Sequence, residues 1–425
     1  MIPRLLTIWD QIRSSLWAMP LVMIIVACAL AYAALHISID IGDDPTWFLF
    51  SGSASQAPQF LSSLVSAMIT MATLAMSITM VVLTLAAQQL GPRLIRNFMR
   101  DRRTQASLGL FVATVVYLLL VLRSTYGTSD SVANLAVTVG TALVFVSVAT
   151  LLLFVHHLAR SIIADNVIDR VGAQLDADIR RLLPSETAKQ ADRPPDIKKE
   201  SAAIVFVHGG YVQAIDFNAI VRAAQKADAS VELNVHAGQH SVPGSGLGFI
   251  SPRIAAREPL IAAIQSAVMI GSERTAVQDL EYAVHQLVEI ALRALSPGIN
   301  DPYTAIAALD RLTLSLRLVM QRGTAKNVWQ DADGVTRLVA PPAGFDGVAD
   351  AAFNQIRQLS AGMPAVLIRM ADNIGQLLQQ ANAAQRPSLE KHLRLVVNAG
   401  SRSIADEDDR NDLKEVASAA RDGNR

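Results

Sequence analysis

Hydrophobic positions along the chain come first in long unbroken runs and later at intervals. Four runs, 17–37, 61–90, 106–122 and 132–158, contain no Asp, Glu, Lys or Arg. A bilayer core about 30 Å thick is crossed by about 20 apolar residues in a helix, so each run predicts a membrane span. The third is near the shortest workable length, and the second is long enough to emerge from lipid. After residue 160 the spacing changes. Ile163, Val167, Ile168, Val171, Leu175 and Ile179 recur at helical intervals, which predicts one amphipathic helix over 160–183. The stretch 184–201, rich in Pro, Lys, Asp and Glu, reads as a linker.

From 202 to 254 the pattern is that of strands. The run 203–207 is apolar, 231–235 alternates, and 216–226 between them reads as a short helix. Beyond Glu258 helical spacing returns, at 260–270, 277–295 and 302–320, with a strand or connector at 335–342. Further helices follow over 351–383, broken near Pro364, and the charged segment from Asp406 is expected to fray. The predicted fold is mainly α: a four-helix transmembrane domain followed by an α+β domain with a small β, barrel-like insertion. The corresponding segments are 1–160, a connecting helix and linker 161–201, a small β module 202–254, a helical domain 255–385 and a helical, polar tail 386–425.

Loop charges orient the spans. The segment 91–105 carries Arg93, Arg96, Arg100, Arg102 and Arg103 against Asp101, whereas the loop before Leu61 has Asp40, Asp43 and Asp44 and no Lys or Arg. Basic loops stay in the cytoplasm, so both termini are expected there, with the spans in a bacterial inner membrane. The first run follows Arg4 and Arg13 and contains an Ala-Tyr-Ala sequence, as a signal peptide does. Its apolar core from Ala18 to Ala34 exceeds the usual 7–15 residues, so it is expected to stay as a helix.

Composition narrows the function classes. Lys+Arg and Asp+Glu both total 37, so no excess of cations points to nucleic acid. The single cysteine, Cys28, excludes an internal disulfide and Cys-based zinc or redox motifs. No P-loop, Gly-X-Ser-X-Gly elbow, His-Glu-X-X-His or kinase set is present. No cofactor and no metal is expected. Glu281, His285 and Glu289 share a helix face but read as a salt-bridged surface, and Gly244, Gly246 and Gly248 as turn glycines.

Two constellations remain. Ser62, Ser66, Thr70, Thr73, Ser77 and Thr84 recur at steps of three, four or seven on the second span, with Gln88 four further on. Such a stripe either lets membrane helices pack closely or lines a polar path shared by several subunits. The second lies over 294–305, where Pro297-Gly298 ends one helix and Asp301-Pro302 starts the next. Ser296, Asn300, Asp301 and Thr304 crowd polar oxygens there, as a tight corner or as a ligand-binding or gating site.

Several segments resemble a family of bacterial membrane proteins, domain of unknown function 2254. They are Gln88-Gln89-Leu90-Gly91-Pro92-Arg93, Gly210-Tyr211-Val212-Gln213-Ala214-Ile215-Asp216, Gly271-Ser272-Glu273-Arg274-Thr275 with Gln278-Asp279, and 296–305 above all. The resemblance runs from the N-terminus to about residue 380 and brings no established activity. It implies a strand pair similar to a biotinyl–lipoyl barrel between Val235 and Ile250, but no lysine sits at the turn to carry such a group.

These features lead to one expectation and two alternatives. The expectation is a homo-oligomeric channel- or transporter-like protein, not an enzyme, whose cytoplasmic domain senses or gates. Its partners would be the lipid bilayer, further copies of the chain, and an ion or small-molecule ligand. The first alternative is a membrane-anchored scaffold or signalling protein. The second is a membrane-surface enzyme, for which Asp279 with Asp301 is the one nameable cluster.

Overall fold

The four apolar runs form four helices: α1 (Ala18–His36), α2 (Ala57–Leu90), α3 (Arg102–Thr125) and α4 (Asn134–Ser161). Each is long and apolar enough to cross a membrane. The computed structural model describes residues 17–37, 56–90, 98–99, 101–125, 134–161, 163–183, 200–323, 326–341 and 344–422. The loops that carry the orienting charges Asp40, Asp43, Asp44, Arg93, Arg96 and Arg100, and most of the 184–201 linker, lie outside the described residues. The chain divides into two units, 1–166 and 167–425.

In the first unit α3, the span with the shortest apolar run, is the central helix, packed against α1, α2 and α4. Lipid tails are as apolar as Leu, so helices in a membrane are held by close fit and by hydrogen bonds rather than by hydrophobic contrast. Both are present. Ala27, Ala31 and Ala34 line the buried side of α1, and a Cβ at Gly109 of α3 would meet Met23 Sδ at 2.6 Å and Pro20 Cα at 3.1 Å. Tyr117 donates its hydroxyl to the Ala136 carbonyl at 2.9 Å, and Thr114 and Ser147 share a hydroxyl bond at 3.1 Å. Phe111 and Phe154 meet edge to face at 6.1 Å. Asp101 caps α3 through the Arg103 N–H and the Thr104 hydroxyl, and also bonds His157 of α4. That joins the ends of the two helices.

The division falls in the first turn of α5 (Ala164–Leu182), the predicted amphipathic helix, most of which belongs to the second unit. Strands and helices follow: β1 (Ala202–Val205), β2 (Gly210–Ile215), α6 (Phe217–Lys226), β3 (Ser230–Leu233), β4 (His240–Ser241), β5 (Gly246–Ser251), α7 (Glu258–Ala267) and β6 (Val268–Gly271). The remainder is α8 (Leu280–Ala294), α9 (Pro302–Arg322), β7 (Val328–Gln330), β8 (Thr336–Val339), α10 (Phe345–Leu359), α11 (Pro364–Leu378), α12 (Arg386–Ser403) and α13 (Glu407–Asp422).

No barrel forms. The strands make a five-stranded sheet in the order β1-β5-β3-β8-β7 and a three-stranded sheet in the order β4-β2-β6, and neither closes on itself. The expectation of a barrel-like insertion fails because the chain changes direction between β1 and β2, near Gly210 at φ +143°, and sends these neighbours into different sheets. The partners come from far along the chain: Ile215 is opposite Val268, and Val231 pairs in parallel with Leu338. Val268–Gly271, predicted as the end of a helix, is the strand β6 that completes the second sheet. The expected fraying beyond Asp406 is also corrected. Glu407–Asp422 is the helix α13, which buries Leu413, Ala417 and Ala420 and packs on α11.

The connecting helix α5 is fixed to its own unit by charge. Arg311 of α9 reaches Asp176 at 2.6 Å, and the Ser315 hydroxyl donates to the same carboxylate at 2.8 Å. Beneath them Val171, Leu175 and Ile179 are buried.

Candidate functional site

The hydroxyl stripe of α2 faces away from the bundle. Ser62, Ser66, Thr70, Thr73, Ser77 and Thr84 are all exposed, while Leu61, Val65, Met68, Ala72, Ala75 and Ala86 are buried against the other spans. At 3.6 residues per turn the two sets lie roughly 150° apart, nearly opposite. Packing inside the subunit therefore does not use the stripe. The one hydroxyl on the buried side, Thr79, donates to the Ala75 carbonyl at 2.7 Å. On the outer side Ser66, Thr70 and Thr84 each donate to the carbonyl four residues back at 2.9 Å. Such back-bonding satisfies a hydroxyl within its own helix and leaves its lone pairs facing outward.

The 296–304 corner is an exposed tip. Asp301 Oδ1 accepts the Thr304 N–H at 3.1 Å and its Oδ2 accepts the Thr304 hydroxyl at 2.6 Å, so the carboxylate caps α9 with both oxygens. The Thr304 hydroxyl bond, the largest influence, holds the Asp301 carboxyl below its ordinary range. Ser296 donates to the Arg293 carbonyl at 2.6 Å. Asn300 takes the left-handed conformation, φ +51°, which Asn tolerates through local hydrogen bonding. Its N–H reaches the Ser296 carbonyl at 2.8 Å, and the Asp301 N–H reaches Ala294 at 2.7 Å, which closes the turn. Around these bonds Ile299 and Tyr303 stand out, Tyr303 at 82% exposure.

The family-like segments around 213 and 274–279, together with Gly238, converge on the start of α8. Gln213 donates to the Glu273 carbonyl at 2.9 Å. Arg274 holds Asp279 with two bonds, at 2.8 and 3.0 Å, while Asp279 Oδ1 also accepts the Tyr282 N–H at 3.0 Å. Asp279 is 3% exposed. Gly238, at φ +93°, passes so close that a Cβ there would collide with the Asp279 carboxylate. The Arg274–Asp279 pair lies within the family-like segments, whereas nothing in the sequence singles out Gly238 as its neighbour. The signal for it was a glycine followed by polar residues, which many turns share. Glu281 lies 3.9 Å from Arg274, in agreement with a salt-bridged face.

Asp279 and Asp301 do not form one cluster. They cap the starts of successive helices, separated by α8, whose 15 residues rise roughly 22 Å. Asp301 is taken up by capping, and Asp279 by capping and by Arg274.

Comparison with known proteins agrees with this architecture. Residues 13–375 match the family described as "Predicted membrane protein (DUF2254)". Uncharacterised proteins of Mycobacterium bovis (strain AF2122/97) and Mycobacterium tuberculosis (strain H37Rv) are each 30% identical over 420 residues, which cover 96% of this chain and 81% of the relative. No solved structure matches.

Proposed function

The chain belongs to the DUF2254 family of predicted membrane proteins, and from that premise we propose that it works as a homo-oligomer whose copies meet along the hydroxyl face of α2, around a polar path. The observation that carries this is the outward placement of Ser62 to Thr84, opposite the face that α2 buries. From Ser62 to Thr84 the stripe rises roughly 33 Å, comparable to the hydrocarbon thickness of about 30 Å. Hydroxyl oxygens whose protons point at backbone carbonyls present lone pairs, and rings of such oxygens suit cations. The membrane is the bacterial inner membrane. The basic 91–105 segment puts both termini in the cytoplasm, and the C-terminal unit with them as the sensing part.

The test is ion flux through the full-length protein in liposomes. Replacing Thr70 and Thr73 with Leu is expected to abolish flux and leave the oligomer intact. Flux that survives would remove α2 as the lining. A second crossing point is chemical: in a Cys28→Ala background, Thr73→Cys is expected to cross-link between copies and Ala72→Cys not.

One observation favours the non-conducting alternative, a membrane-anchored scaffold or signalling protein. Ser66, Thr70 and Thr84 are already satisfied by their own helix, so half of the stripe is tolerable in lipid without a pore. Absence of flux for every ion and voltage, with the cross-link retained, would select it. An enzymatic role finds no support in Asp279 and Asp301, which cap separate helices.

A further inference from the structure

Helices α6 and α7 pack together in the C-terminal unit and leave an open groove of about 860 Å³ along their outer side. That volume lies in the range of sites for single small molecules. Its floor is aliphatic. Ala219 and Ala223 come from one face of α6, Ala227 from its C-terminal cap, and Leu260 and Ala263 from α7. Its rim is cationic. Arg222 and Lys226 stand four apart on α6, and Arg257 faces them from the turn before α7.

Among the described residues, none of these three side chains makes an ion pair or a hydrogen bond. Elsewhere in the same unit Arg274, Arg311, Arg337 and Arg369 are each held by a carboxylate within 3 Å. The one acid in the lining, Asp228, is taken by Arg337 at 2.9 Å. Three cations with no bonded partner, against the single exposed carboxylate of Asp228, leave the lining net positive where an anion would sit.

The composition of the lining chooses among anions. No aromatic side chain lines the groove, so a nucleobase would find nothing to stack on. Small aliphatic residues instead leave room for a methylene chain, and Arg supplies the forked donors that suit phosphate. We infer that the α6–α7 groove binds an anionic lipid, a phosphate head held by Arg222, Lys226 and Arg257 with its acyl chain along the alanine floor.

The test uses the full-length protein in phosphatidylcholine nanodiscs and a single-chain lysophosphatidic acid with a diazirine in its acyl chain. After illumination, label is expected on peptides covering 219–227 and 252–263. It is expected to fall at least fivefold in Arg222→Gln/Arg257→Gln, whose exposed side chains leave the fold intact. Ala223→Trp, which fills the floor and keeps every cation, is expected to lose label as well. Equal labelling by the matching lysophosphatidylcholine, or label confined to the four spans, would overturn the inference. Full competition by glycerol 3-phosphate at lipid-like concentrations would also overturn it, because the tail would then contribute nothing. None of these outcomes depends on whether α2 lines a path.

Discussion

Gln278 pairs with both backbone groups of Ile215: its side-chain oxygen accepts the Ile215 N–H at 2.8 Å and its amide donates to the Ile215 carbonyl at 3.0 Å. A side chain thereby does the work of a neighbouring strand at the end of β2 and ties the second sheet to the start of α8.

Gln278→Leu strips both partners from a residue that is 2% exposed. A buried amide left unpaired costs roughly 1–3 kcal/mol, so the C-terminal unit is expected to unfold earlier in denaturant by that amount. Hydrogen exchange should speed up first at β2. An unchanged midpoint and unchanged exchange would reject the role given to Gln278.

Gly109 leaves no space for a side chain between α3 and α1. Gly109→Val is expected to force the helices apart and lower the melting temperature of the detergent-solubilised protein by several degrees, on the order of 1–3 kcal/mol of overpacking. Gly244, which has open space around it, provides the comparison. Its φ of +84° makes Gly244→Asn the tolerated change there.

Asp301 caps α9, and Asp301→Ala is expected to cost about 1 kcal/mol, as loss of an N-cap usually does. Its carboxyl sits below the ordinary range because the Thr304 hydroxyl bonds its charged form. That contribution is present above the usual carboxylate pKa of about 3.9 and is lost as the pH falls through the lower folded value. Thermal unfolding between pH 6 and pH 3 checks this: the difference between wild type and Asp301→Ala should shrink at the acid end.

His392 has a fully buried side chain, with Nε2 2.9 Å from Asp350 Oδ1. Burial pushes its pKa down most strongly. Asp350 pulls it up, and Lys391 and Arg357 push it further down. The folded ring therefore stays neutral where the unfolded chain, with a pKa near 6.5, takes up a proton. Stability is full above about 6.5 and falls as the pH drops below that value. His392→Gln is expected to flatten the melting-temperature profile between pH 7 and pH 5.5. An equally steep profile in the variant would assign the slope to other groups.

Some of this was legible in the sequence because it is local. Four uncharged apolar runs have few folded alternatives, and Asp216, Asp301-Pro302 and Pro364 act within a turn of themselves. The missed features depend on distant partners. Val268-Met269-Ile270 follows an amphipathic helix with no breaker, and it becomes a strand because β2, more than fifty residues earlier, pairs with it. In α13 the charged residues around Leu413, Ala417 and Ala420 hid a narrow apolar seam that α11 and α12 make sense of. Periodicity put the α2 hydroxyls on one face, but which face could be read only once the opposite one was seen to be occupied.

The back-bonded hydroxyls of α2 also bear on biogenesis. Because Ser66, Thr70 and Thr84 each close on a carbonyl one turn away, these three hydroxyls can enter hydrocarbon already satisfied. For these groups a newly made chain has no need of a waiting partner at the translocon. If copies assemble as proposed, they can be inserted singly and meet by lateral diffusion, so the assembly would follow their density in the bilayer and not the pace of synthesis.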